Sequence, residues 1–263
     1  NIVRMYSGMV TGNVYGGYIA ENPTTHTTSD GDARENTVIF ESGSIGGDIY
    51  GGYTEGTGKT TGNTVRLNVG EVTGTIYGGN KADTTGNTLE ITNQATAGKI
   101  KNFSWVRFTL QPWLIRNPKP MLTLKTGVAD FDWGKFDAEG DAPEGEITLL
   151  RNENGINFGS TYTGTKITLN TATNERVIYT DTKTGVGVKN ILHAAYQFKD
   201  AAKDVPTAKP GPMGDIWAGR SIIGNTTREN TLNIEDETTQ SYRDAYGGWT
   251  AGTGTTHADQ NDS

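Results

Sequence analysis

The residues best suited to chemistry lie between 130 and 146. Asp130, Asp132, Asp137, Glu139, Asp141, Glu144 and Glu146 stand there, with Trp133 and Lys135 among them and Arg151 close behind. Clustered carboxylates can coordinate calcium, which takes about six to eight oxygens. They can also cleave glycans, given a basic residue such as Lys135 or Arg151 in the same groove. An EF-hand loop needs glycine after its third acid, and Ala142 stands there. Nothing in linear order makes the acids converge on a base, and charge runs are usually solvated surface. The expectation is a contact surface built from Asp130, Asp132, Trp133 and Asp137. It would meet another macromolecule without turning it over, and no metal or cofactor is implied.

The other chemical candidates are weaker. Gly56-Thr57-Gly58-Lys59-Thr60 has the ending of a phosphate loop, but Tyr53 stands where the pattern needs its first glycine, and no helix pattern follows. His26, His193 and His257 are isolated, so neither a triad nor a metal-ligand spacing can be read from them. Trp105, Trp113 and Trp133 are either an exposed binding platform or packing for a core or cap, and packing is the simpler reading. The chain has no cysteine, which excludes disulfides and thiolate sites.

The elements that would hold such a surface are repeats. A Tyr-Gly-Gly half occurs as Val14-Tyr15-Gly16-Gly17, Ile49-Tyr50-Gly51-Gly52, Ile76-Tyr77-Gly78-Gly79 and Ala245-Tyr246-Gly247-Gly248. An Asn-Thr half occurs as Asn36-Thr37-Val38, Asn63-Thr64-Val65, Asn87-Thr88-Leu89 and Asn230-Thr231-Leu232. From Asn36 to Tyr50 and from Asn63 to Tyr77 the offset is 14 residues; at Asn230 it is 16. Recurrence with a near-constant internal offset marks stacked supersecondary units. Val38/Phe40, Val65/Leu67 and Leu89/Ile91 alternate with outward residues, the period of a half-buried strand. The paired glycines read as sharp corners that stop the second strand. One such unit cannot bury its own apolar face, and stacking buries it. The fold predicted is all-β: a right-handed parallel β-helix, or β-solenoid. Strands 36–40, 63–67 and 87–91 should pair in parallel and in register, with Asn36, Asn63 and Asn87 in one column.

Along the chain, residues 1–98 are regular, 99–214 are elaborated, and 215–263 hold a returning repeat and a polar tail. The polar loop from Pro23 to Asp32 should bulge outward. Beyond Gly98 the motif fades into Phe103, Trp105, Phe108, Leu110, Trp113 and Leu114, then resumes as strand at Met121-Leu122-Thr123-Leu124. Between Lys189 and Asp204 the spacing of Ile191, Leu192, Ala195, Phe198 and Ala202 predicts a short amphipathic helix, followed by a Pro/Gly loop from Pro206 to Gly214. Function should sit between Ile100 and Gly214, where loops break the period.

Composition narrows the class. The 36 glycines among 263 residues are about double the usual share of ~7 % and lack a collagen period. Lys+Arg 23 against Asp+Glu 30 leaves −7, which opposes nonspecific binding to nucleic acid or an anionic membrane. No apolar run is long enough to span a bilayer. The sequence opens on Asn1 without a signal segment, as an excised or processed fragment would.

The recurring Val/Ile-Tyr-Gly-Gly with Asn-Thr-Val/Leu resembles the passenger domains of autotransporter adhesins on Gram-negative bacteria. Ile100-Lys101-Asn102-Phe103, Phe108-Thr109-Leu110 and Met121-Leu122-Thr123-Leu124 resemble a further element of those passengers. The resemblance implies a β-helical stalk, exported and anchored at the cell surface through a region outside this chain, with a host or bacterial surface protein or glycan as partner. It carries over no catalytic residue. The leading expectation is a non-enzymatic adhesin or structural stalk segment. The alternatives are a polysaccharide-acting β-helix enzyme, lyase or hydrolase, and a subunit of an extracellular fibre that self-associates end to end.

Overall fold

The computed structural model describes residues 1–21, 30–116, 119–140, 145–171, 174–180, 189–198, 202–205, 216–221, 231–234 and 245–250. Asp141, Glu144, His26, His257, Asn230, the 206–214 loop and the tail from Gly252 lie outside them. The chain is mostly β, in parallel and mixed sheets, and divides into two compact units.

The first unit covers residues 1–142, 147–164 and 179–194. Its centre is two ladders fed alternately by successive repeats. One joins Ile2–Met5, Thr37–Phe40, Thr64–Leu67, Thr88–Ile91, Trp105–Thr109 and Phe136–Glu139 in sequence order. Every pair is parallel and in register, so Val3, Val38, Val65, Leu89, Val106 and Phe136 form one column. The other ladder runs through Met9–Val10, Ser44–Ile45, Gly70–Gly79, Ala95–Lys101, Leu122–Leu124 and Gly145–Asn157, again parallel where the pairing is resolved. Each repeat is therefore one layer, and the layers stack in chain order. We number them 1 to 6. Layers 5 and 6, from Trp105 to Asn157, keep the register although their sequence has lost the motif, because alternation alone places Val106, Phe108, Phe136 and Ala138 inside.

The core is the inner columns. Val38, Phe40, Ile45, Ile49, Val65, Leu67, Val72, Ile76, Leu89 and Ile91 are all buried, each worth about 2 kcal/mol of apolar burial. The expected asparagine column is present. Asn36 Nδ2 donates to Asn63 Oδ1 at 3.0 Å, Asn63 Nδ2 to Asn87 Oδ1 at 3.4 Å, and each carbonyl oxygen also accepts the backbone amide of the preceding asparagine. Tyrosines stack beside it on the outside. Tyr15 lies on Tyr50 with ring centroids 5.3 Å apart, and Tyr50 on Tyr77 at 4.7 Å.

The Tyr-Gly-Gly pair is the expected corner in layer 1, where Gly16-Gly17 separate strands Val14–Tyr15 and Tyr18–Ile19, but not in layer 2. Strand Ile49–Thr54 runs straight through Gly51 and Gly52, and neither has positive φ. They are seats. A Cβ on Gly51 would lie 2.8 Å from the Asn63 Cβ, and one on Gly52 would lie 2.1 Å from the Ala33 carbonyl oxygen and 2.7 Å from Asn63 Nδ2. The Gly-Gly of one layer thus receives the asparagine of the next, which is why the two halves recur together. Layers 1 to 3 turn between the ladders at Gly8, Gly43 and Gly70, at φ 102°, 109° and 136°, where a left-handed backbone is needed.

The helix expected over 189–204 is absent. Those residues form strands Lys189–Phe198 and Ala202–Val205. Leu192, Ala194 and Ala195 are buried, with Ile191 and His193 half-exposed. The run fits both periods over five residues, and strand pairing overrides alanine's weak helical preference. Among the described residues there is no α-helix, only short 3-10 turns at Pro112–Arg116 and Trp133–Lys135.

The second unit covers 143–146, 165–178 and 195–263. Thr165–Asn170 and Asn174–Thr180 are neighbours in a sheet. A three-residue link allows only antiparallel pairing, so this is a hairpin. Ala202–Val205 pairs Thr231–Ile234, and Ile216–Ser221 pairs Ala245–Thr250, both parallel and in register. The repeat thus forms a further pair of layers.

Candidate functional site

Asp130 ends a short strand, Ala129–Asp130, paired in parallel with Ile156 and Asn157. The carboxylate therefore stands beside Asn157, whose Nδ2 donates to Asp130 Oδ1 at 3.1 Å. Asp132 follows at the N-cap of the turn Trp133–Lys135, and its side chain accepts from the Gly134 amide, the service an Asp cap performs for orphan amides. The same Oδ1 accepts from Thr161 Oγ1 at 2.9 Å, and Lys135 Nζ lies 4.0 Å from Oδ2. Both carboxylates are exposed.

Below them Trp133 is only 3 % exposed. Its ring meets Phe158 and Tyr162 edge to face at 5.2 and 4.9 Å, and its Nε1 donates to Thr163 Oγ1 at 3.0 Å. Phe136 and Phe131 extend the cluster. Trp133 is packing: it holds the turn that carries Asp132 and offers no face to a ligand. Trp105 and Trp113, by contrast, are exposed.

Two depressions meet at Asp130, Phe131 and Asp132. One, of about 130 Å³, is walled also by Lys101, Asn102, Phe103 and Lys135. The other, of about 330 Å³, is walled by Asn157, Ser160 and Thr161. The arrangement offers carboxylate acceptors, amide and ammonium donors, and half-exposed phenyl rings. That is the equipment for holding a hydroxyl-rich ligand. Asp137 is not part of it. It lies half-buried on Phe136–Glu139 opposite Arg107, and its Oδ1 accepts from the Ala138 amide. Among the described residues no group of three His, Cys, Asp or Glu is placed to hold a metal ion.

Sequence reasoning thus found Asp130 and Asp132 but missed Asn157, Thr161, Lys101 and Asn102. The signal for Asn157 was present. It follows Asp130 by 27 residues, the spacing of Asn36 to Asn63, and so stands one layer on.

The Gly56-Thr57-Gly58-Lys59-Thr60 loop is part of the stack. The Lys59 amide donates to Asp32 Oδ1 at 2.7 Å, the Ala33 amide donates to the Lys59 carbonyl at 2.9 Å, and a Cβ on Gly58 would lie 2.0 Å from the Gly31 carbonyl oxygen. His193 stacks on Tyr179 at 5.3 Å, and its Nδ1 lies 3.5 Å from Thr148 Oγ1.

Comparison with known proteins returns no matching family model, no matching curated protein and no matching solved structure. No helix among the described residues is long and apolar enough to cross a membrane.

Proposed function

We propose that this chain is a non-enzymatic segment of an exported bacterial cell-surface protein, an adhesive stalk of the autotransporter passenger kind. Its architecture is a right-handed parallel β-helix, the hand followed by nearly all parallel crossovers within a sheet. The observation that carries this reading is where the recurrent polar residues go. Asn36, Asn63 and Asn87 bond to one another, Asn13 and Asp48 accept the amides of Asp48 and Thr75 one layer on, and the tyrosines stack. The repeated polar positions are scaffold and leave no recurring group for catalysis.

The contact surface is the pair of depressions around Asp130 and Asp132, and the ligand class is a surface glycan, held by hydroxyl-to-carboxylate hydrogen bonds. The test is incubation with acidic and neutral polysaccharides, with and without calcium, reading both retention and new reducing or unsaturated ends. Retention weakened at least tenfold in Asp130→Asn or Asp132→Asn, without new ends, is the expected result. Sustained cleavage abolished by either substitution would replace the adhesin with a polysaccharide-acting enzyme.

A further inference from the structure

The smaller depression is a break in the second ladder. Up to Gly98, layer 4 bonds to layer 5. Ala95, Thr96 and Ala97 pair with Leu122, Thr123 and Leu124, and the Thr126 amide donates to the Gly98 carbonyl. Beyond it, among the described residues, Lys99, Ile100 and Lys101 pair only with Thr75, Ile76 and Tyr77 of layer 3. The next piece of layer 5, Ala129–Asp130, pairs only with layer 6. Asn102 turns the chain out of the ladder at φ 60°, in the left-handed region that asparagine enters more readily than most residues. It is fastened there, its Nδ2 donating to the Gly79 carbonyl at 2.8 Å and its own carbonyl accepting from Asn87 Nδ2 at 3.2 Å. The rungs that would join Ile100 and Lys101 to Ala129–Asp130 are therefore missing, and a slot opens in their place.

A missing rung asks for peptide chemistry. The Phe131 and Trp133 amides donate to the Asn157 and Phe158 carbonyls of layer 6. By the alternation of a parallel ladder, the Asp130 amide then points the other way, into the slot. Lys101 puts an exposed side chain on the rim, and its ammonium has no ion-pair partner among the described residues. The carboxylates of Asp130 and Asp132 stand on the facing rim. The floor is apolar: Ile100, Val106 and Phe136 are at most 5 % exposed. At about 130 Å³ the slot has room for a small planar group and not for a further strand. An acetamido group is such a plane, with one acceptor, one donor and a methyl end. We propose that the slot takes the acetamido group of an N-acetylhexosamine, which makes N-acetylated glycans the ligand class of this surface. The methyl lies over Val106 and Phe136. The carbonyl oxygen accepts from the Asp130 amide and the Lys101 ammonium, and the N–H donates to a rim carboxylate. The sugar hydroxyls face the larger depression, where Asn157, Ser160 and Thr161 stand, with the half-buried Phe131 ring between the two. A neutral acetamido sugar also suits a chain of net charge −7 better than an acidic one. The inference rests on the glycan-binding reading above and narrows it.

Trisaccharides of one backbone linkage test it by calorimetric titration of the full chain: N-acetylated chitotriose, its de-N-acetylated form, and cellotriose. The N-acetylated form should bind about tenfold more tightly than cellotriose, because the slot's donors and acceptors are matched only by the acetamido group. It should also bind more tightly than the de-N-acetylated form, whose ammonium probes plain attraction to the carboxylates. Val106→Leu adds a methylene to the slot and should bring the ratio of N-acetylated to cellotriose affinity close to one. Lys101→Ala, at an exposed position that folding does not need, should lower that ratio roughly threefold through one lost hydrogen bond. It keeps the test open if the core substitution does not fold. Cellotriose binding as tightly as the N-acetylated form, the de-N-acetylated form binding best, or a ratio unmoved by Lys101→Ala would overturn the acetamido inference and leave the glycan reading standing. So would a failure of all the trisaccharides to bind while a polysaccharide is retained. No binding by any trisaccharide or polysaccharide would overturn the glycan reading itself, and this inference with it.

Discussion

Layers 2 to 4 and the stretch from Ala129 to Thr163 use polar residues in opposite ways. In layers 2 to 4, Asn36, Asn63 and Asn87 are at most 2 % exposed, and their amides are shared along one column. Around the depressions, Asp130 and Asp132 are exposed; Asp130 Oδ1 accepts from Asn157 Nδ2, and Asp132 Oδ1 from the Gly134 amide and Thr161 Oγ1. The same layer spacing serves both, since Asn157 stands one layer from Asp130 as Asn63 does from Asn36. What differs is burial. A buried amide must bond to protein, so a repeat that buries its asparagine commits it to scaffold. A layer whose loop swells outward leaves its carboxylates able to meet a ligand.

Substitutions can break that contrast. The largest effect belongs to Trp133→Ala, which empties the aromatic cluster under the turn and should cost about 4 kcal/mol. Chemical denaturation measures it, and glycan retention should fall with it even though Trp133 touches no ligand. Asn63→Ala leaves the Asn36 backbone amide and Nδ2 without their acceptor and the Ala33 carbonyl without the Asn63 donor, and should cost about 3 kcal/mol, with retention unchanged in the folded fraction. Gly52→Ala pushes a methyl onto the Ala33 carbonyl and the Asn63 amide and should cost about 2 kcal/mol. If it proves neutral, the seat is not the reason for the Gly-Gly pair. Asp132→Asn keeps the cap, since Asn caps as well as Asp, and should change stability by less than about 1 kcal/mol. It would nonetheless remove most retention.

The smallest effect is a pH dependence. The Tyr18 hydroxyl donates to Glu55. That hydrogen bond, with the Glu21 amide, holds the Glu55 carboxyl below the usual range. The folded state therefore gains from ionised Glu55 above the unfolded carboxyl's titration and loses that gain as pH falls through the depressed folded value. Melting temperatures of wild type and Glu55→Gln should differ at neutral pH and converge in acid. The same bond pushes the Tyr18 phenol up to about 12. Its contribution should be intact below the ordinary tyrosine range and fade as pH rises through the folded value, which absorbance titration of the phenolate reads directly.

The sequence by itself determined the layers. Alternation at Val38/Phe40, Val65/Leu67 and Leu89/Ile91, together with recurring Asn-Thr and Tyr-Gly-Gly, was enough to specify parallel, in-register strands and an asparagine column. A stack repeats its local environment, so each position is chosen by the same neighbours in every layer. Tertiary structure alone decided the rest. That Gly51 and Gly52 are seats rather than corners depends on what the next layer brings against them. That Leu192 and Ala194 lie in a strand depends on pairing, because five residues fit either period. That Asp130 and Asp132 share a surface with Thr161 and Lys101, while Trp133 is buried beneath and Asp137 stands apart, depends on loops that break the period. There no repeated neighbour constrains the side chain, and only the folded chain sets which groups meet.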